Sequence, residues 1–259
     1  MANCEVKIWK GRKFSRTSPI VQARYPFDVS KLASQIPGMV LHWYVDPDYP
    51  SSLLENRITG TAMTAVGAPV INGYKTILNE ANHIDTGIDI SQFNGMDLTI
   101  IAIAGNAGGG PFNLAGRLQV ANPQRSRALK WVDATHIGNV WLNSNGSTLA
   151  ANLTPVNITS VDADMFCARF ISNNGSNFIA SRITMPRSGA NAQAAGAATA
   201  YAMPSTNILI GGSLDGGTTV SCDEYSVAVF NRLITDDELA LYYETHKNRL
   251  LLAPKPIYI

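Results

Sequence analysis

Turn chemistry recurs along this chain at short intervals, and that spacing leaves room for little except strands. Asn72-Gly73, Asn145-Gly146, Asn174-Gly175 and Asp215-Gly216-Gly217 are residues that accept positive φ at low cost, the requirement of tight chain reversals. Between and around them lie strand-like runs at 39–45, 61–66, 74–78, 83–88, 96–104, 113–120, 128–132, 138–142, 164–172, 177–185, 207–210 and 221–230. The stretch Leu98-Thr99-Ile100-Ile101-Ala102-Ile103-Ala104 is continuously apolar, as expected of a strand covered on both faces. The first run stops at Asp46-Pro47-Asp48-Tyr49-Pro50, because each proline removes a backbone donor from a ladder. Many short strands with regular turns predict an all-β, antiparallel β-sandwich rather than alternating βαβ units.

A length of 259 residues fits one such unit. Residues 1–37 mix basic and polar side chains with Pro19 and Pro26 and read as an N-terminal extended arm, with one short helix at 28–34. The sandwich is expected over residues 38–249. Residues 188–202, rich in Ala, Gly, Asn and Gln, lack branched apolar side chains and read as a loop. One helix is clear. Thr235-Asp236-Asp237-Glu238 is a capping box, after which Leu239, Tyr242, Tyr243 and His246 fall on one helical face. The tail 250–259 carries Leu250, Leu251 and Leu252 with Pro254 and Pro256. Such a tail needs cover and is expected to dock on its own domain or on a partner.

The C-terminal third carries the most specific pattern. Ile208-Leu209-Ile210-Gly211-Gly212 is followed by the strand Asp223 to Phe230, by Asn231-Arg232, and by the capped helix. This resembles the closing signature of the concanavalin A-like, laminin G-like jelly rolls. There, an Ile-Gly-Gly strand precedes an acidic-hydrophobic strand, an aromatic-Asn-Arg end and a short acidic helix. The acidic pair lies further from Phe230 than in that family, and Ile234 stands where Leu is usual. The likeness extends more loosely back to Leu41. It implies a jelly-roll sandwich with one short C-terminal helix, and a binding or assembling protein rather than an enzyme. Within the class the chain looks most like versions found in tailed-phage virion proteins.

The chemistry of the chain points the same way. Charged residues make up only 15% and formal net charge is +1, which suits dense assemblies and glycan contact. The only basic cluster, Lys7, Lys10, Arg12, Lys13 and Arg16, is loose and reads as an anchoring segment, not a nucleic-acid face. Cys4, Cys167 and Cys222 have no metal-type spacing and read as free thiols. The N-terminal residues lack the pattern of a secretory leader, and 98–104 is too short to span a bilayer. The expectation is a protein made in the host cytoplasm and carried in a virion, without membrane insertion.

Glycoside hydrolysis needs two carboxylates facing one cleft. Asp162 and Asp164 share strand parity, whereas Asp223 and Glu224 point to opposite faces. No Gly-x-Ser-x-Gly elbow accompanies His42, His83, His136 or His246. No catalytic residue is assigned. No cofactor is assigned either, although calcium is admitted by the resemblance. Its candidate ligands are Asp85, Asp89, Asp97, Asp162, Asp164 and Asp215, near loop ends where aspartates also cap turns.

Sugar binding needs an exposed aromatic platform with amides close by. Trp131 and Trp141 are the candidate platforms, and Asn143, Asn145, Asn173 and Asn174 the candidate partners; the core competes for both tryptophans. The leading reading is a decoration or tail-associated phage virion protein touching host-surface glycans, with arm and tail holding neighbouring subunits. A free carbohydrate-binding lectin and a glycoside hydrolase are the alternatives.

Overall fold

Whether a strand shows alternating or continuous apolar character depends on what covers its faces, and here one sheet is covered twice. A computed structural model of the chain describes residues 28–105, 111–119, 125–142, 148–154, 161–173, 177–195, 202–212 and 220–259. Among them, fifteen strands form two antiparallel sheets. The first sheet contains β1 (Met39–Tyr44), β3 (Ile71–Asn72), β4 (Lys75–Leu78), β6 (Leu98–Ala104), β11 (Asp164–Asn173), β12 (Asn177–Met185), β13 (Ala190–Ala195) and β15 (Cys222–Phe230). Their order is β13-β12-β11-β6-β15-β4-β3, with β1 also paired to β15. The second contains β2 (Thr64–Val66), β5 (His83–Asp89), β7 (Phe112–Gln119), β8 (Arg125–Trp131), β9 (Ile137–Leu142), β10 (Thr148–Leu153) and β14 (Asn207–Ile210), in the order β10-β9-β8-β7-β14-β5-β2. The architecture is the expected antiparallel β-sandwich.

Between the sheets lies one core, with Trp43, Leu98, Ile100, Phe112, Leu129, Trp131, Phe166, Phe170, Ile208, Ile210, Val227 and Val229 buried together. A second core lies on the outer face of the first sheet. There, Ile101 and Ile103 of β6, Cys167 of β11 and Phe230 of β15 meet Leu239, Tyr242, Tyr243 and Leu250. Those last four belong to the C-terminal helix α2 (Asp236–Leu251). The apolar run of β6 is thereby explained: alternate residues serve different cores.

The C-terminal signature has a mechanical reading. Gly211 and Gly212 both adopt positive φ, and a Cβ on them would run into Leu78 and His83 respectively, so side chains are excluded twice over. Arg232 grips Glu238 with both terminal nitrogens, at 2.9 and 2.6 Å, and donates to the Pro37 carbonyl. Glu238 also accepts from the Thr235 amide while Thr235 Oγ1 accepts from the Glu238 amide, completing the capping box. Arg169 pairs with Asp236 at 2.7 Å. Two arginines thus fix the start of α2 over the sheet.

Of the expected arm, residues 28–37 are folded onto that outer face. A 3-10 turn at Val29–Lys31 and a single helical turn α1 (Leu32–Gln35) bury Val29, Leu32 and Ile36. Residues 1–27 lie outside the described residues, and the basic cluster with them. The tail docks on its own domain. Ile259 is buried and its carbonyl accepts from Tyr243 Oη; the Tyr258 amide donates to Asp162 Oδ2 while the Asp162 amide donates to the Tyr258 carbonyl.

The loop expected at 188–202 requires correction, because 190–195 form β13. This strand sits at the sheet edge and pairs only with β12. An edge strand needs one ladder of backbone bonds and little side-chain volume, and Ala192 and Ala194 pack against the inter-sheet core. β10, at the corresponding edge of the other sheet, carries Leu149 and Leu153 beside its alanines.

Candidate functional site

β1 ends in a loop whose backbone is tied down from within. The Asp46 amide donates to Ser52 Oγ, the Asp48 amide to Asp46 Oδ1, the Tyr49 amide to the Asp46 carbonyl and the Ser52 amide to the Tyr49 carbonyl. Pro50 then opens a 3-10 turn over Pro50–Leu54. The following chain returns along β1. The Arg57 amide donates to the His42 carbonyl, and Asn56 bridges to the Val40 carbonyl and the His42 amide. The return covers the free edge of β1 and sets the Arg57 side chain beside two tyrosines.

Cations and rings then alternate. The Arg57 guanidinium lies 4.7 Å from the Tyr49 ring centre and 4.9 Å from that of Tyr44. Arg249, near the end of α2, lies 4.9 Å from Tyr44 and 5.5 Å from Tyr74. The resulting ladder reads Tyr49–Arg57–Tyr44–Arg249–Tyr74. Each contact is favoured by the ring quadrupole, more so where water is excluded. Tyr44 is buried, whereas Tyr49 is 47% exposed. The ladder therefore presents one open aromatic at its outer end. Asp48 is exposed beside it, and Glu55 Oε2 lies 3.8 Å from Arg57 Nη1. An aromatic ring held firm with carboxylate acceptors at its rim can stack on a sugar face and accept from its hydroxyls.

Beneath the ladder, His42 and His246 meet at 3.3 Å between their Nε2 atoms. One ring must donate and the other accept, so the two cannot both be protonated. Burial, with Arg249 and Arg57 close by, pushes His42 down to about 3; burial with Arg249 and His42 drives His246 well below its usual range. Ser226 Oγ donates to the Trp43 carbonyl and meets Tyr242 Oη at 3.0 Å. These groups are sealed under α2.

Of the residues anticipated for sugar binding, Trp131 and Trp141 stand at opposite ends of one strand pair. Trp131 requires correction. It is buried in the inter-sheet core, edge-on to Phe166, with Nε1 donating to the Gly105 carbonyl, so its ring offers no exposed face. Trp141 lies in β9, opposite Arg127 and Leu149, at the other end of the β8–β9 pair from Trp131. Asn173 ends β11; Asn143, Asn145 and Asn174 lie outside the described residues.

The aspartates proposed for calcium are separately engaged. Asp85 accepts from the Gly87 amide, Asp97 from the Ser172 amide and Asp162 from the Tyr258 amide. Asp89 caps the turn after β5 and binds Ser205, contacts that hold its carboxyl at about 2. Asp164 pairs with Arg187. Asp215 lies outside the described residues. Among the described residues no three His, Cys, Asp or Glu side chains are grouped to hold a metal ion.

The carboxylates considered for hydrolysis are also separated. Asp223 pairs with Lys75, whereas Glu224 is fully buried with neither oxygen hydrogen-bonded among the described residues. Cys167 and Cys222 are free and buried. Burial lifts the Cys167 thiol to about 12, which removes it as a nucleophile. No helix among the described residues is long and apolar enough to cross a membrane.

The ladder was missed in sequence because Asp-Pro-Asp-Tyr-Pro reads first as a strand stop. The available signal was a tyrosine set between prolines and aspartates, where no core awaits it.

No protein-family model matches the sequence, and no curated protein matches it. Solved structures do match the fold. The receptor-binding domain of botulinum neurotoxin type G superposes with a TM-score of 0.58 at 12% identity, covering 82% of this chain and 52% of that one. The binding domain of botulinum neurotoxin DC, solved in complex with SialylT, gives 0.56 at 9% identity, over 80% and 52%. The W1238A mutant of HCR/D gives 0.58 at 10%, over 82% and 52%. This chain therefore spans about half the length of the domains it matches, and the likeness is one of fold.

Proposed function

We propose that this chain is a non-catalytic glycan-binding sandwich that meets its ligand at the Tyr49 loop. One observation carries the reading: Tyr49 is an exposed ring on a loop fixed by four hydrogen bonds, with the Arg57 guanidinium 4.7 Å from its centre, exposed Asp48 next to it in the chain and Glu55 facing Arg57. A platform that is rigid before binding loses less entropy when a sugar settles on it. The fold likeness to receptor-binding domains, one of them solved with SialylT, supports the same reading.

The setting we propose is a tailed-phage virion, as a decoration or tail-associated protein with the N-terminal arm as anchor; it rests on the sequence resemblance. A glycan array probed with the intact chain tests the binding. Saturable binding to at least one glycan, lost in Tyr49→Ala, is expected, and silence across the array overturns the reading. Tracking the tagged chain in purified particles decides the setting.

A further inference from the structure

We infer that the Tyr49 site takes uncharged sugars and rejects acidic ones such as sialylated or sulfated glycans. The inference rests on the glycan-binding reading above and concerns what the site can pair with. An acidic sugar needs a cation with donors open to solvent. Arg57 is the cation nearest the platform, and its donors are turned away. Nε and Nη2 are buried without hydrogen-bond partners, and Nη1 faces Glu55 Oε2 at 3.8 Å. The guanidinium lies 4.9 Å from the Tyr44 ring centre and 4.7 Å from that of Tyr49, and its side chain is only 16% exposed. Arg249 stands deeper in the ladder, behind Tyr44. Among the described residues, the charged groups next to the ring in chain or contact, besides Arg57, are the carboxyls of exposed Asp48, its chain neighbour, and of part-exposed Glu55, which faces Arg57.

Such carboxyls accept hydrogen bonds from neutral hydroxyls and repel a second carboxylate or a sulfate, a means of specificity by exclusion. Arg57 serves here as a positioning residue: it holds the ring and partly offsets Glu55 without presenting charge to a ligand.

The test compares neutral glycans with their sialylated and sulfated counterparts on the same backbones, using the full chain at fixed salt. Binding to the neutral members is expected, with the acidic members weaker by about tenfold or more. The double variant Asp48→Asn, Glu55→Gln should narrow that gap, read as the ratio of acidic to neutral binding whatever happens to the neutral affinity itself, and Tyr49→Ala should lose both. A preference for acidic members, or a gap unchanged in the double variant, overturns this inference and leaves glycan binding standing. No binding to any glycan removes both together.

Discussion

Strand β15 presents polar side chains to two different interiors, and the two are treated in opposite ways. On the outer face, under α2, Ser226 meets Tyr242 and the Trp43 carbonyl, and His42 meets His246. On the inner face, Glu224 follows Cys222 by two residues and points with it between the sheets, where its carboxyl has no partner among the described residues. A bulge between Glu224 and Ser226 in the pairing with β6 lets neighbouring polar residues of one strand reach different cores. The outer face, covered by a helix with its own hydroxyls and imidazoles, partners Ser226, His42 and one nitrogen of His246. On the inner face Ser181 finds Asn139 and Arg127 finds the Phe93 carbonyl, but among the described residues no such partner stands against Glu224. Burying polar groups is cheap only where the covering element brings partners.

The largest expected effect tests the partnered side. An unfolded imidazole titrates near 6.5, while His42 in the fold is held at about 3 and His246 also lies well below its usual value. The folded values are the lower ones, so the native state binds fewer protons. The pair's contribution is complete above pH 6.5 and is lost as pH falls toward the folded values. His42 alone should forfeit roughly 3 kcal/mol between pH 6.5 and pH 4. Urea unfolding across that window, run beside the double variant His42→Gln, His246→Gln, isolates this slope from that of the carboxylates. Identical slopes in the two proteins would break the comparison at its stronger end.

The unpartnered side predicts the opposite sign. Burial drives the Glu224 carboxyl well above its ordinary 4.5, so the native state holds a proton that the unfolded chain releases. Its contribution is complete below pH 4.5 and is lost as pH rises. Glu224→Leu should therefore gain on the wild type as pH climbs from 4.5, reaching about 1–3 kcal/mol near neutrality. Thermal melts of the two proteins at pH 4.5 and pH 7 measure it. A variant less stable at both values would mean that the carboxyl is holding something together.

These contrasts mark what the sequence could show. The capping box was legible because its physics is local, and the Ile-Gly-Gly turn and Arg232 because they stand in a recurring pattern, although the contacts of both glycines, with Leu78 and His83, are long-range. β6 was legible because a strand covered on both faces has no polar side to hide. The edge strand β13 was not, since its alanines carry little hydrophobic signal and its stability comes from β12. Trp131 could have faced either way; its direction follows from sheet register and from which face the other sheet covers. The ladder was least legible: Tyr49 and Arg57 lie close in sequence, but Arg249 reaches Tyr44 only because β1 pairs with β15 and α2 folds back over both.

The smallest effect asks whether the outer cover acts as one piece. Thr235→Ala removes the hydroxyl that accepts from the Glu238 amide, which should cost about 1 kcal/mol. Thr235 lies eleven residues before His246, about 16 Å along the helix axis. Arg232 and Arg169 continue to hold the first turn through Glu238 and Asp236, so any loosening should stay at that end. The expected result is a stability–pH curve displaced downward in parallel with the wild type. If the acid limb steepens or moves instead, the helix transmits fraying down to the histidines, and the partnered interior depends on the whole of α2 rather than on its last turns.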